Sequence, residues 1–166
     1  MSNFQFQTVS SIISGLGSIL ELKTLLNEFQ PKRVLLVTDP GMIQHQLHLP
    51  ILEILESQRQ PYVIYSNVQA DPAEHIVLDA VQFAKDEKID LVLGFGGGSS
   101  LDVAKVIAVL GHSEQTQQLQ DLYGVGNAKR PRLPLILIPT TAGTGSEVTP
   151  ISIVTTGETT KTGIVS

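Results

Sequence analysis

Gly94-Phe95-Gly96-Gly97-Gly98-Ser99-Ser100-Leu101-Asp102-Val103-Ala104-Lys105 carries the plainest chemistry in this sequence. Its glycines follow an apolar run and precede a segment with helical spacing. Glycine removes the Cβ that would hold a phosphate away from the backbone. A helix beginning here offers an anion unpaired N–H groups and the positive end of its dipole. The Ser99 hydroxyl adds a donor. A capped tight turn needs fewer glycines than this loop carries, so Gly97, Gly98 and Ser99 read as a phosphate cradle. Ser99 with Asp102 three residues on also forms a loose capping box. The spacing departs from the common dinucleotide fingerprint, whose third glycine is absent. No Gly-Lys-Ser/Thr closes the loop, which argues against nucleoside-triphosphate hydrolysis.

Asp39 follows the first strong apolar run. A carboxylate at the C-terminal end of a strand accepts hydrogen bonds from ribose hydroxyls and repels a 2′-phosphate, favouring NAD over NADP. In the common fingerprint the acid follows the glycines, whereas here it precedes them. Asp39-Pro40-Gly41 is equally good turn chemistry, and both readings stand on the sequence. The third stretch is Pro139-Thr140-Thr141-Ala142-Gly143-Thr144-Gly145-Ser146-Glu147-Val148-Thr149. Its hydroxyls and glycines can meet a nucleotide with side-chain and backbone donors. Glu147 reads as closing this loop onto the backbone rather than as a catalytic acid.

Elements must bring these three stretches together. Arg33–Thr38, Pro61–Tyr65, Ile89–Phe95 and Leu135–Ile138 are short apolar runs without in/out alternation. That is the habit of parallel strands covered on both faces. Helical spacing occupies Gly17–Phe29, Pro50–Gln58, Pro72–Lys88 and Ser99–Leu110. Asp71 is placed to cap the third of these, with Pro72 at its first position. Strand and helix alternate, which predicts an α/β fold with a doubly wound, mostly parallel sheet. The three stretches then lie at the C-terminal ends of strands, where such sheets bind ligands. His112–Arg132 is polar and reads as loop and short helix. Ile151–Thr156 and Thr159–Ser166, around Gly157-Glu158, read as a β-hairpin.

Composition bounds the function. The chain of 166 residues suits one domain, and a net charge of -5 argues against a nucleic-acid partner. It has no cysteine, which removes disulfides and thiolate chemistry. No run approaches the roughly 20 apolar residues of a membrane span, and Met1–Gln7 does not read as a signal peptide. We expect a cytoplasmic protein with no membrane partner. Of the four histidines, His45 and His48 are close together, but a metal site wants further ligands. They read as surface or packing residues, and we expect no metal site. Lys105 is placed to pair with Asp102 on its helix surface, and the other charges read as solvated faces.

Gly-Gly-Gly-Ser-x-x-Asp-x-Ala-Lys at 96–105, followed by Pro-Thr-Thr-Ala-Gly-Thr-Gly-Ser-Glu-Val-Thr at 139–149, resembles the iron-containing, group III alcohol dehydrogenase family. Gly15-Leu16-Gly17-Ser18 and Val37-Thr38-Asp39-Pro40-Gly41 resemble it too. The resemblance covers essentially the whole chain and only the N-terminal, Rossmann-like part of the family's fold. It implies NAD as cofactor and hydride transfer between NAD and a small alcohol or aldehyde. It implies that Asp39 holds the adenosine ribose and that Gly97, Gly98 and Ser99 hold the pyrophosphate. Thr140 and Thr141 would contact the adenosine half, with Thr149 and Lys161 reaching towards the nicotinamide. The family commonly has Asn-Pro where this chain has Asp71-Pro72, so a charge is new near the cleft. The family's divalent metal, iron or zinc, is held by an Asp and three His of a C-terminal helical domain. Those positions fall outside residues 1–166.

Residues 1–166 therefore read as one dinucleotide-binding domain of a longer enzyme, inactive by itself. A stand-alone nucleotide-binding module is a rival, and so is a relative of glycerol dehydrogenase or dehydroquinate synthase. The resemblance also implies a homodimer paired through the N-terminal strand, and Phe4-Gln5-Phe6-Gln7-Thr8-Val9 has the alternation for such an edge.

Overall fold

The computed structural model describes residues 8–157 and 160–165. Its strands are β1 (Val34–Val37), β2 (Tyr62–Tyr65), β3 (Leu91–Gly96), β4 (Gly124–Val125), β5 (Leu135–Pro139), β6 (Ile151–Thr156) and β7 (Thr160–Val165). Its α-helices are α1 (Leu22–Phe29), α2 (Pro40–Gln44), α3 (Leu49–Ser57), α4 (Glu74–Asp86) and α5 (Gly98–Leu110). Four strands form a parallel sheet in the order β2-β1-β3-β5. The doubly wound parallel sheet expected from the sequence is present.

The apolar runs form strands because both faces are covered. Leu35 and Val37 of β1 and Val92 of β3 point to one side, packing with α4 and α5. Val34 and Leu36, with Leu91, Leu93 and Phe95, point to the other, against α1 and α3. The period of two thus survives inside runs that look uniform in sequence. Every residue of β1 and β3 is buried. The edge strands β2 and β5 are only partly covered. On α1, Leu22 and Leu26 are buried while Phe29 is exposed, so the apolar face is narrower than the sequence suggests.

The hairpin of β6 and β7 is antiparallel, as expected, and packs on α5 as part of a second sheet. The polar stretch from 112 to 132 holds more order than its composition implies. Leu119 and Leu122, in a 3₁₀ turn, are fully buried, and β4 pairs parallel with β7.

Two expected helix starts need correction. Ala73, not Asp71, is the N-cap of α4, and no side chain caps that helix. Residues 71–73 are held instead against β6: the Thr155 amide donates to the Pro72 carbonyl at 2.9 Å, and Ala73 bridges Thr155. Asp71 itself is left-handed, at φ 51°. The capping box of Ser99 and Asp102 does not form either, because Gly97 is the N-cap of α5. The Ser99 hydroxyl accepts from the Asp71 amide at 3.3 Å, and Asp102 turns inward to the Ile153 amide at 3.0 Å.

Candidate functional site

The chain leaves β1 for β2 on one side and later returns to β3 on the other. The strand order therefore reverses between β1 and β3. A crevice opens at the C-terminal ends of such neighbours. Asp39 stands just past the end of β1, and Gly96 closes β3. They meet: a Cβ on Gly96 would lie 3.0 Å from Asp39 Oδ2 and 2.8 Å from Ser100 Oγ. Gly96 also has φ 142°, which L side chains rarely adopt, so the position requires glycine twice over.

Asp39 caps α2, where one carboxylate oxygen accepts from the Met42 amide at 3.1 Å. Its other oxygen accepts from the buried Ser100 hydroxyl at 3.4 Å. The expected turn at Asp39-Pro40-Gly41 is thus the first turn of a short helix, with Pro40 at a position that suits it. The carboxylate is held at the crevice by bonds that leave it partly open.

Gly97 and Gly98 begin α5, whose first amides have no partner within the helix. Facing them is the threonine loop. A Cβ on Gly97 would lie 3.6 Å from Thr141 Cγ2, and one on Gly98 would lie 3.2 Å from Ser146 Oγ. The Thr140 amide donates to the Gly96 carbonyl at 2.9 Å, tying the ends of β5 and β3. The glycine and threonine loops therefore meet at the crevice, with Asp39 beside Gly96. Thr140 and Thr141 are exposed, and Ser99 is half-buried.

Ser99 leads to Asp71, which the sequence reading placed near the cleft as a helix cap. Asp71, whose amide donates to Ser99 Oγ, pairs through its carboxylate with Lys161 on β7 at 2.6 Å. The charge that is new at Asp71 is thus matched beside the glycine loop, in an ion pair open to solvent. Thr149 lies at the far end of its loop, where its amide donates to the Gly145 carbonyl at 3.0 Å. It lines a groove of about 770 Å³ with Lys105, Lys129, Arg130 and Arg132.

Lys105 and Asp102 pair as their spacing suggests, at 2.9 Å, but not on a solvated face. Both side chains are nearly buried, at 12% and 10% exposure. The Lys105 ammonium donates to the carbonyls of Ser146, Thr149 and Ile151. It therefore does the work expected of Glu147. Among the described residues Glu147 Oε2 is buried and takes no hydrogen-bond partner. The three-residue spacing of Asp102 and Lys105 was visible in sequence, whereas their burial was not. Ser100 gave no signal beyond its place in the loop.

Among the described residues, no three His, Cys, Asp or Glu side chains come together as a metal site would require. His48 is buried and its ring Nδ1 lies 3.2 Å from the Met42 carbonyl, which is a packing role. No helix among the described residues is long and apolar enough to cross a membrane. Residues 4–7 of the expected edge strand lie outside the described residues. Val9 is in no strand, and Thr8 donates to the Val148 carbonyl at 2.9 Å.

A family model described as iron-containing alcohol dehydrogenase matches residues 10–166. Sulfoacetaldehyde reductase of Bilophila wadsworthia is 36% identical over 98% of this chain and 42% of its own length. Long-chain-alcohol dehydrogenase 1 of Geobacillus thermodenitrificans is 39% identical over 89% of this chain and 37% of its own. Among solved structures, a 1,3-propanediol oxidoreductase superposes with a TM-score of 0.90 at 28% identity, over 99% of this chain and 43% of that one. The NADH-dependent butanol dehydrogenase A of Thermotoga maritima gives 0.87 at 28% identity, over 100% and 42%. The chain thus spans about two fifths of the length of the proteins it matches.

Proposed function

Because the chain belongs to the iron-containing alcohol dehydrogenase family, we propose that residues 1–166 form the dinucleotide-binding domain of an NAD-dependent alcohol dehydrogenase. The observation that carries this is the cleft itself. A glycine-lined helix start faces a threonine loop, at the strand ends where the sheet reverses, with a carboxylate at one end. NAD fits that cleft. Its pyrophosphate would take the free amides of Gly97 and Gly98 and the Ser99 hydroxyl, since a helix start binds anions. Its adenosine ribose would reach Asp39. Thr140 and Thr141 would contact the adenosine half, while Thr149 and Lys161 would lie towards the nicotinamide.

When bound, NAD supplies the hydride acceptor, and this chain supplies binding and orientation. The family implies a divalent metal as well, but the described residues do not fit one. The substrate is a small alcohol or aldehyde. The relatives' own names range from a sulfoacetaldehyde reductase to a long-chain-alcohol dehydrogenase. We place the protein in the cytoplasm, as a homodimer paired through its N-terminal strand.

The test is a titration of the chain with NAD and, separately, NADP, followed by backbone amide NMR. Shifts at Gly97, Gly98, Ser99 and Asp39, larger for NAD, are the expected result. Equal shifts for both nucleotides would leave the phosphate cradle and remove the role of Asp39. Shifts confined to other residues would overturn the site.

A further inference from the structure

We propose that Lys105 and Asp102 are the positioning pair of the cofactor cleft, setting the distance of the threonine loop from the glycine loop. The proposal rests on the cofactor reading and goes beyond it, because neither side chain touches the cleft. Lys105 sits two turns into α5, the helix whose first turn is the phosphate cradle. Its ammonium gathers three carbonyls: Ser146 at 2.9 Å, Thr149 at 3.4 Å, and Ile151. Those residues span the second half of the threonine loop and the start of β6. Asp102 Oδ1 faces the ammonium at 2.9 Å as an ion pair rather than as an aligned hydrogen bond. Its Oδ2 accepts from the Ile153 amide at 3.0 Å, on the same strand. One helix turn thereby holds a whole loop-to-strand junction.

Physical chemistry says why a lysine is used. An ammonium carries three N–H donors and no acceptor, which matches three converging carbonyls. Hydrogen bonds with one ionised partner are stronger than neutral ones. The buried charge is tolerated because Asp102 offsets it and backbone dipoles surround it. The loop lacks regular structure and contains Gly143 and Gly145 in left-handed conformations, at φ 94° and 70°. By itself it has little to fix its place. A Cβ on Gly98 would lie 3.2 Å from Ser146 Oγ and 3.4 Å from Thr144, so the loop packs closely on the helix start.

Removing Lys105 alone would strand the Asp102 carboxylate in the interior and could unfold the chain. The informative variant is therefore D102N/K105M. Asn can still accept from the Ile153 amide, and Met keeps the volume of the lysine stem. Two probes separate positioning from general damage: NAD, which must touch both loops, and inorganic pyrophosphate, which needs the glycine loop. The variant should weaken NAD binding about tenfold, the scale of one or two lost hydrogen bonds. Pyrophosphate shifts at Gly97 and Gly98 should keep their midpoint. Amide exchange of residues 144–149 should quicken, while that of β1 and β3 stays as it was. If NAD affinity is unchanged although the loop exchanges faster, the proposal is overturned. If both probes weaken together, the pair is merely structural and the proposal is again overturned. If the parent chain binds pyrophosphate but not NAD, or neither, the cofactor reading itself fails and takes this inference with it. That outcome is distinguishable because it appears before any substitution is made.

Discussion

Asp39 does two jobs with one carboxylate. It caps α2 through the Met42 amide, and it presents a negative charge beside the glycine loop. These jobs can be separated. Ser is as good an N-cap as Asp, because either side chain offers an oxygen to the amide. Asp39→Ser should therefore leave the melting temperature nearly unchanged. It should nevertheless raise the affinity for NADP relative to NAD about tenfold, since the charge that repels a 2′-phosphate is gone. Dissociation constants for the two nucleotides check this, and an unchanged ratio would sink the ribose assignment. Gly96 is less forgiving. Gly96→Ala forces a side chain into φ 142° and drives its Cβ against Ser100 and Asp39. A cost of about 1–3 kcal/mol is expected from the backbone alone, and a urea denaturation curve would measure it.

At the level of elements, Gly94 shows how closely α5 lies on the sheet. A Cβ there would come within 2.7 Å of Ala104 Cβ and 2.8 Å of Leu137 Cδ2, one from the helix and one from β5. Gly94→Ala should cost about 1–3 kcal/mol as an overpacked core position, with the cleft's sequence untouched; an unshifted urea midpoint would refute the close approach. Tyr123 joins the 3₁₀ turn to α4 by donating its phenol to Glu74. Burial first, then the hydrogen bond and charge of Glu74, hold that phenol above its ordinary value of 10.0. The folded chain thus keeps the proton more tightly than the unfolded one. The stabilisation is intact below pH 10 and is lost as pH rises from that value towards the folded pKa. Tyr123→Phe should cost about 1–2 kcal/mol at neutral pH and remove part of the alkaline loss. A stability profile from pH 7 to 11 that is identical for both proteins would be evidence against the bond. Such elements differ in how far sequence reveals them. The runs at Val34, Leu91 and Leu135 were legible because continuous apolarity has few other uses. The start of α4 was not, because Asp71-Pro72 is good cap chemistry in isolation and only the pairing of residues 71–73 with β6 diverts it. Likewise Leu119 and Leu122 are isolated in a polar stretch, and nothing local announces that both are fully buried.

For the molecule as a whole, the glycine and threonine loops could be read from composition and order, since their residue types have a direct chemical use. The buried placement of Lys105 could not, since it depends on where a hairpin some 50 residues later comes to rest, as the 46-residue separation of Lys105 and Ile151 illustrates. The same scale decides what the chain can do alone. On the proposed reading its glycine and threonine loops hold the cofactor, while the described residues bring together no metal-ligating cluster. Alcohol oxidation in a metal-dependent dehydrogenase needs both, because the metal lowers the pKa of the alcohol that gives up its hydride. The 166-residue chain should therefore bind NAD yet show no alcohol-dependent NADH formation with iron(II) or zinc added. Both halves of the prediction are read in one cuvette, by nucleotide binding and by absorbance of the reduced nicotinamide. Turnover that rises with added metal would place a metal site within these residues, and would overturn the division of labour on which the functional reading depends.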